Sequence, residues 1–237
     1  MKRFTTLLAM AAIMAAAPAA GGDRTPDHDY DAPKPGTYIL PVIKPATDGV
    51  LLDTTGKPVR LSKLTRGRIT VMSFIYTRCA SANACPYATG VLLELHRESA
   101  ADGELAKHLR LVSMSFDPSN DTPERMAAYG KMFSGNPKAA PWQFVTARTQ
   151  EELQPVLEAY GQTVNKKENA TDPTGPLNHT LRVFLVDAAG NIRNIYSSGT
   201  LDPRLVLADV RTLMLESAGN ASKPSTRRPA GKTVSSK

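Results

Sequence analysis

Apolar residues along this chain form short runs that alternate between the dense pattern of a buried strand and the three-to-four spacing of a helix. Ile69–Tyr76 reads ITVMSFIY, a β-branched and aromatic run bounded by Gly67 and a cysteine loop, which predicts a buried central strand. Leu109–Phe116 (LRLVSMSF) and the shorter Gln143–Thr146 predict further strands, and His179–Asp187 pairs with Asn191–Tyr196 across Ala188-Ala189-Gly190. Helices are predicted between them. Val91, Leu92 and Leu95 follow Pro86, whose missing N–H costs nothing in a first helical turn. Asp121 or Thr122 caps a helix reaching about Phe133, and Thr149-Gln150-Glu151-Glu152 opens another that ends near Tyr160. Asp202-Pro203 starts a last helix with Leu205, Val206, Val210, Leu213 and Met214 on its apolar side. Upstream, Val50–Asp53 and Pro58–Leu61 flank a Thr54-Thr55-Gly56-Lys57 turn as a hairpin.

The order β-β-β-α-β-α-β-α-β-β-α predicts an α/β fold: a central mixed β-sheet flanked by helices, with an N-terminal β-hairpin extension. A strand that runs into a cysteine loop opening a helix, followed by βα units and a closing hairpin, is a thioredoxin-like layout. This domain is expected over residues 48–217. Residues 20–47, rich in Pro, Asp and Gly, read as a flexible lead-in that becomes ordered near Tyr38, and 218–237 as a disordered basic tail.

The net charge of +7 invites a nucleic-acid reading, but its placement removes it. Lys2 and Arg3 at one end and Lys223, Arg227, Arg228, Lys232 and Lys237 at the other carry the whole excess, and residues 20–216 balance. Residues 1–19 have the layout of a secretory signal: a positive start, an Ala-rich apolar stretch from Phe4 to Ala17, and small residues at Ala17-Pro18-Ala19. The apolar run is short for a spanning helix. An exported, periplasmic protein with no stable membrane span after cleavage is expected, in a compartment where a disulfide can persist.

Cys79 and Cys85 are the only cysteines. A bond between them closes a very short loop and gains little chain entropy, so the pair reads as a site rather than a staple. Cys85 falls at the start of the helix, where unpaired N–H groups favour a thiolate, which makes it the expected more acidic thiol; Cys79 on its loop is the expected more exposed one. Two neighbouring thiolates suit either disulfide exchange or a soft cation such as Cu(I), and an imidazole would favour the metal. Of the four histidines, His28 lies in the lead-in segment, and His96 and His108 read as surface residues. His179 follows a Gly- and Pro-containing loop that can bring it over the cysteines. No Gly-rich phosphate loop, zinc-protease motif or Ser-His-Asp order stands out.

Residues from about 49 to 215 resemble the Sco/SenC family of thioredoxin-fold copper proteins that take part in assembling cytochrome c oxidase. The segments carrying the resemblance are FIYTRC with its following CP, SFDPSNDTPERMAAYGKMF, WQFVT and NHTLRVFLVDAAGNI, in the family's order. The resemblance implies that Cys79, Cys85 and His179 bind one copper ion, as Cu(I) or Cu(II), and that Asp117 supports the site. The usual motif has three residues between the cysteines and a proline after the first. Here there are five, with Ala80 in the proline's place, and Asn178 stands where Asp often precedes the histidine.

Two functions remain open. One is a copper chaperone that delivers its ion to a cuproprotein client such as an oxidase copper-site subunit. The other is an exported thiol–disulfide oxidoreductase using Cys79 and Cys85 as its redox pair, served by a thiol–disulfide reductant. A domain whose pair forms an inert disulfide is the bland reading. No nucleic-acid partner is expected.

Overall fold

The computed structural model describes residues 30–169 and 171–221, and the fold is that of the unit from Asp31 onward. The proposed signal and His28 lie outside the described residues. Among the described residues, no helix is long and apolar enough to cross a membrane.

The central strand of the α/β core is β4 (Ile69–Ile75), buried at every position. It occupies the middle of a six-stranded mixed sheet whose order is β1 (Lys44–Pro45), β10 (Asn191–Tyr196), β9 (Val183–Val186), β4, β5 (Leu109–Ser115), β6 (Trp142–Val145). β5 runs parallel to β4, with Ile69 opposite Leu109 and Ile75 opposite Ser115, and β6 runs parallel to β5. β9 lies antiparallel on the other side of β4, and β10 and β1 continue antiparallel. The apolar runs are dense because both faces are covered.

Alternation along β4 assigns the two faces. Phe74 joins Phe184 and Tyr160 in a ring cluster with centroids 5.1–5.7 Å apart, under α5 (Gln150–Ala159). On the opposite face Ser73 Oγ lies 3.3 Å from Ser113 Oγ, which also accepts from Trp142 Nε1 at 3.0 Å. Against that face packs α2 (Cys85–Ala101), whose buried residues Ala88, Leu92, Leu95 and Ser99 repeat at helical spacing. Asp102 ends α2 and caps α3 (Gly103–His108), accepting from the Glu104 and Leu105 N–H groups at 3.1 Å each. α4 (Pro123–Lys131) lies between β5 and β6, with Thr122 as its N-cap. α6 (Pro203–Ala221) is the last element among the described residues and runs into the segment read as a tail, the rest of which lies outside them.

The predicted N-terminal hairpin is present as β2 (Val50–Leu52) and β3 (Pro58–Arg60), which leads into the short α1 (Leu61–Thr65). A second hairpin, β7 (Val164–Lys166) with β8 (Leu177–His179), stands outside the six-stranded sheet. It divides what the sequence suggested was one strand from His179 to Asp187. His179 pairs with Val164, whereas Val183 pairs with Ser73 and Tyr196, so the chain changes partners between them.

His96 is a second correction. It is 4% exposed rather than a surface residue, its ring centroid 5.7 Å from that of Trp142 and its Nδ1 3.1 Å from the Ala140 carbonyl oxygen. Its position one residue after Leu95 and four after Leu92 places it on the apolar side of α2. His108 is 55% exposed at its side chain, as expected, and lies 4.0 Å from Glu104.

Candidate metal centre

β4 ends at Ile75, and the chain leaves the sheet through Tyr76 and Thr77 before turning at Cys79. Asp121 fixes that exit. Its buried carboxylate accepts from the Thr77 N–H at 2.9 Å, the Thr77 hydroxyl at 2.5 Å, Ser115 Oγ at 2.6 Å and Asn120 Nδ2 at 2.8 Å, tying the root of the cysteine loop to the end of β5. One residue on, Arg78 pairs with buried Asp117 at 2.8 Å. Asp117 therefore supports the loop as expected, and the Arg78 charge is spent on it rather than on the thiols.

The loop Ala80–Ala84 holds a turn closed by the Ala84 N–H on the Ser81 carbonyl at 3.0 Å. Cys85 is then the first residue of α2, followed by Pro86, and the N-cap residue Ala84 offers no side-chain acceptor. The Cys79 sulfur takes that role, facing the N–H groups of Cys85 and Ser81. Cys85 itself is 2% exposed, and both thiols are free.

His179 reaches the pair from the β7–β8 hairpin. Its Nε2 lies 3.3 Å from Cys85 Sγ and 4.0 Å from Cys79 Sγ, and the three ligand atoms all lie within 4.8 Å of one another. Its Nδ1 is 3.4 Å from the Leu177 carbonyl, an acceptor, so the tautomer that donates there turns the Nε2 lone pair toward the sulfurs. The imidazole stands edge-on to Tyr76, with centroids 5.4 Å apart, and 5.0 Å from Phe116. These two aromatic neighbours were not singled out as site residues in the sequence, although both end strands that were.

Gly175 lets the hairpin come this close. Its φ of +100° is a conformation open to glycine, and a Cβ there would collide with Tyr76 Oη and stand 2.7 Å from the Arg78 carbonyl oxygen. Tyr76 Oη reaches the carbonyls of Thr174 at 3.3 Å and Leu177 at 3.5 Å, and the Ala80 N–H bonds Thr174 O at 3.3 Å. At the hairpin's other side, Lys167 pairs with Asp172 at 3.1 Å. The histidine arm is thus joined to the cysteine loop by a few contacts at the hairpin tip.

The electrostatics of the two thiols reverse the sequence expectation. The Cys79 thiol is pulled down to about 4, because a hydrogen bond from the Cys85 thiol and then His179 and the two loop amides favour its thiolate against the cost of its partial burial. Cys85 is pushed up by the same shared proton and by deeper burial. Helix position alone pointed to Cys85; the hydrogen bond that Cys85 donates to Cys79, together with the deeper burial of Cys85, reverses the order. Two sulfurs and one imidazole nitrogen of this spacing suit a soft cation, since donors around one ion at about 2.0–2.3 Å stand roughly 3.5–4 Å from each other.

Comparison with known proteins adds the following. The sequence model of the SCO1/SenC family matches residues 47–215. No curated protein matches the chain significantly. Among solved structures, "ScoI with copper bound" from Arabidopsis thaliana is 21% identical, with a TM-score of 0.60, covering 72% of this chain and 98% of that one. The apo Sco1 protein from Thermus thermophilus is 25% identical, with a TM-score of 0.59, covering 77% and 98%. BsSco, described as a member of the Sco family of cytochrome c oxidase assembly proteins with a disulfide switch, is 22% identical, with a TM-score of 0.56, covering 73% and 95%.

Proposed function

The chain belongs to the SCO1/SenC family, and from that premise we propose that it is an exported copper chaperone that carries copper on Cys79, Cys85 and His179 to a cuproprotein client, such as the copper-site subunit of a respiratory oxidase. The observation that carries this reading is the convergence of His179, from a separate hairpin, on the two sulfurs. A disulfide exchanger needs two sulfurs; the third donor on a dedicated arm is what a metal requires.

Copper is the cargo. The two thiolates favour Cu(I), and the imidazole, held by its Nδ1, offers a third donor that suits either oxidation state. Loading releases the proton that the thiol pair retains, so uptake is tied to pH. Release is by ligand exchange with the acceptor's own donors. Residues 1–19 act as the export signal in this reading, 20–47 as a lead-in and 218–237 as a basic tail around the domain of 48–217.

The test is an anaerobic titration of the reduced protein with Cu(I) and Cu(II), beside Cys79→Ser, Cys85→Ser and His179→Ala. One tight ion per chain, weakened by each change, supports the chaperone. No tight ion overturns it.

The adjacency of an acidic, partly buried thiol to a fully buried one favours a second reading, thiol–disulfide exchange. The Cys79 thiolate attacks a client disulfide, displacing one client thiolate. Cys85 then resolves the mixed disulfide, leaving Cys79–Cys85 oxidised and the client reduced by two electrons. A pair that cycles readily while His179→Ala has no effect would assign this activity in place of copper transport.

A further inference from the structure

Seven large apolar side chains are exposed among the described residues, and four of them, Ile39, Val42, Ile43 and Leu215, belong to one strap and the helix end beside it. Ile39 is 86% exposed. Single exposed apolar residues need no explanation, whereas a cluster marks a contact surface.

The strap is residues 36–45, ending in β1, and its inner side is pinned. The Gly36 N–H donates to Thr212 Oγ1 at 3.0 Å and Tyr38 Oη to Asp209 at 2.5 Å, both on α6. The Leu40 carbonyl accepts from Arg193 Nε at 2.8 Å, and the Ile43 N–H donates to the Ile192 carbonyl at 2.9 Å. With Tyr38 and Leu40 directed inward, the fixed backbone holds Ile39, Val42 and Ile43 outward. Leu215 joins them at Gly36, where a Cβ would stand 2.8 Å from Leu215 Cδ1.

Charge indicates what covers this face. Lys34 and Lys44 flank the apolar residues and are exposed. Leu215 lies in the last turns of α6, and the sequence after Ala221 carries Lys223, Arg227, Arg228, Lys232 and Lys237 with no acidic residue. The carboxylates near in sequence are Asp31, which is exposed, and Glu216, held by Arg193 at 2.8 Å. A second copy seated two-fold on the patch would set lysine against lysine, and the two-residue β1 is too short an edge to template strand pairing. An anionic lipid surface accepts the apolar side chains and the cations together.

We propose that this face adsorbs to a membrane surface rich in anionic lipid, with Ile39, Val42, Ile43 and Leu215 entering the headgroup boundary while Lys34, Lys44 and the basic segment after Ala221 meet lipid phosphates. Ile43 bonds Ile192, which lies opposite Val186 and, through it, Thr70, five residues of β4 before Ile75. That is about 17 Å along the sheet from the cysteine end, so the cysteine loop stays clear of the lipid and open to a partner.

The experiment is co-sedimentation with vesicles of phosphatidylcholine alone and of phosphatidylcholine with phosphatidylglycerol. The folded unit begins at Asp31, so residues 20–237 are used, which keeps the apolar run of residues 4–17 from supplying the binding. Binding to the phosphatidylglycerol vesicles is expected, reversed by high salt and weak on phosphatidylcholine alone. Ile39→Ser/Val42→Ser/Ile43→Ser should weaken it about tenfold or more with an unchanged circular dichroism spectrum, since all three side chains are exposed. Arg227→Gln/Arg228→Gln/Lys232→Gln should weaken it less. No binding, equal binding to both kinds of vesicle, or a triple-serine variant that binds as tightly as the unaltered chain overturns the proposal. A concentration-dependent dimer that the triple-serine change abolishes, with no vesicle binding, would assign the patch to a second copy instead.

Discussion

Cys79 and Cys85 are carried by the end of a buried central strand and the start of a 17-residue helix, whereas His179 ends a three-residue strand of a hairpin outside the main sheet. The cysteine side is braced by two buried carboxylates, Asp117 and Asp121, each committed to the loop. The histidine side depends on a glycine that permits contact and a tyrosine hydroxyl at 3.3 and 3.5 Å from its carbonyl partners. The sulfur pair is therefore part of the fold's core, and the nitrogen is an attachment to it. Changes on the first side should cost stability and binding together; changes on the second should cost binding with little loss of stability.

The largest separation should appear in thiol chemistry. Cys79 owes its acidity first to Cys85 and less to His179. In the native protein its alkylation should stay level through neutral pH and fall only as pH drops through about 4, where the thiolate is protonated. Cys85→Ala returns the thiol toward its ordinary range, so labelling of Cys79 at pH 6 should slow by about 100-fold or more. His179→Ala should slow it far less, and an equal effect would erase the distinction.

Next in size is Asp121→Ala. It strands the Thr77 N–H and hydroxyl and Ser115 Oγ beneath the loop, and should lower the unfolding free energy by about 3 kcal/mol in a denaturant titration, with copper affinity falling as well. Gly175→Ala should lower unfolding stability by only about 1–2 kcal/mol, because its strain falls on the hairpin tip. Its copper affinity should drop nearly as far as that of His179→Ala. Loss of stability to match Asp121→Ala would show that the arm belongs to the core after all. The smallest effect is expected from Tyr76→Phe, which keeps the ring beside His179 and removes two long hydrogen bonds, about 1 kcal/mol or less by the same denaturant measurement.

The core and the two cysteines were legible because their signals are local, whereas His179 was singled out as a ligand by the family resemblance rather than by its position. ITVMSFIY has one physical explanation, and a cysteine after such a strand with Cys-Pro opening a helix has few. The histidine arm was not legible as a hairpin. Val164-Asn165-Lys166 is short, polar and half-exposed, and Leu177–His179 precedes a much stronger strand that absorbed it in the pattern. The short α1 and α3 were missed for lack of enough turns to show a period. His96 was readable in principle, since its spacing from Leu92 and Leu95 sets it on the buried side of α2, but its polarity argued the other way. The relative acidity of the thiols was beyond sequence, because it depends first on which of the two sulfurs donates to the other and on how deeply each is buried once the Ala80–Ala84 loop has folded.

The unequal burial of the two sulfurs imposes a direction on any handover. Cys85 is 2% exposed, while Cys79 and His179 are open on one side and border a loop of small side chains, Ala80 to Ala84. A donor arriving from another protein meets Cys79 and His179 first and can replace them one at a time. If the chain hands an ion to a partner as proposed, Cys85, behind them, would be the last donor replaced, and the ion would keep one sulfur ligand throughout the exchange.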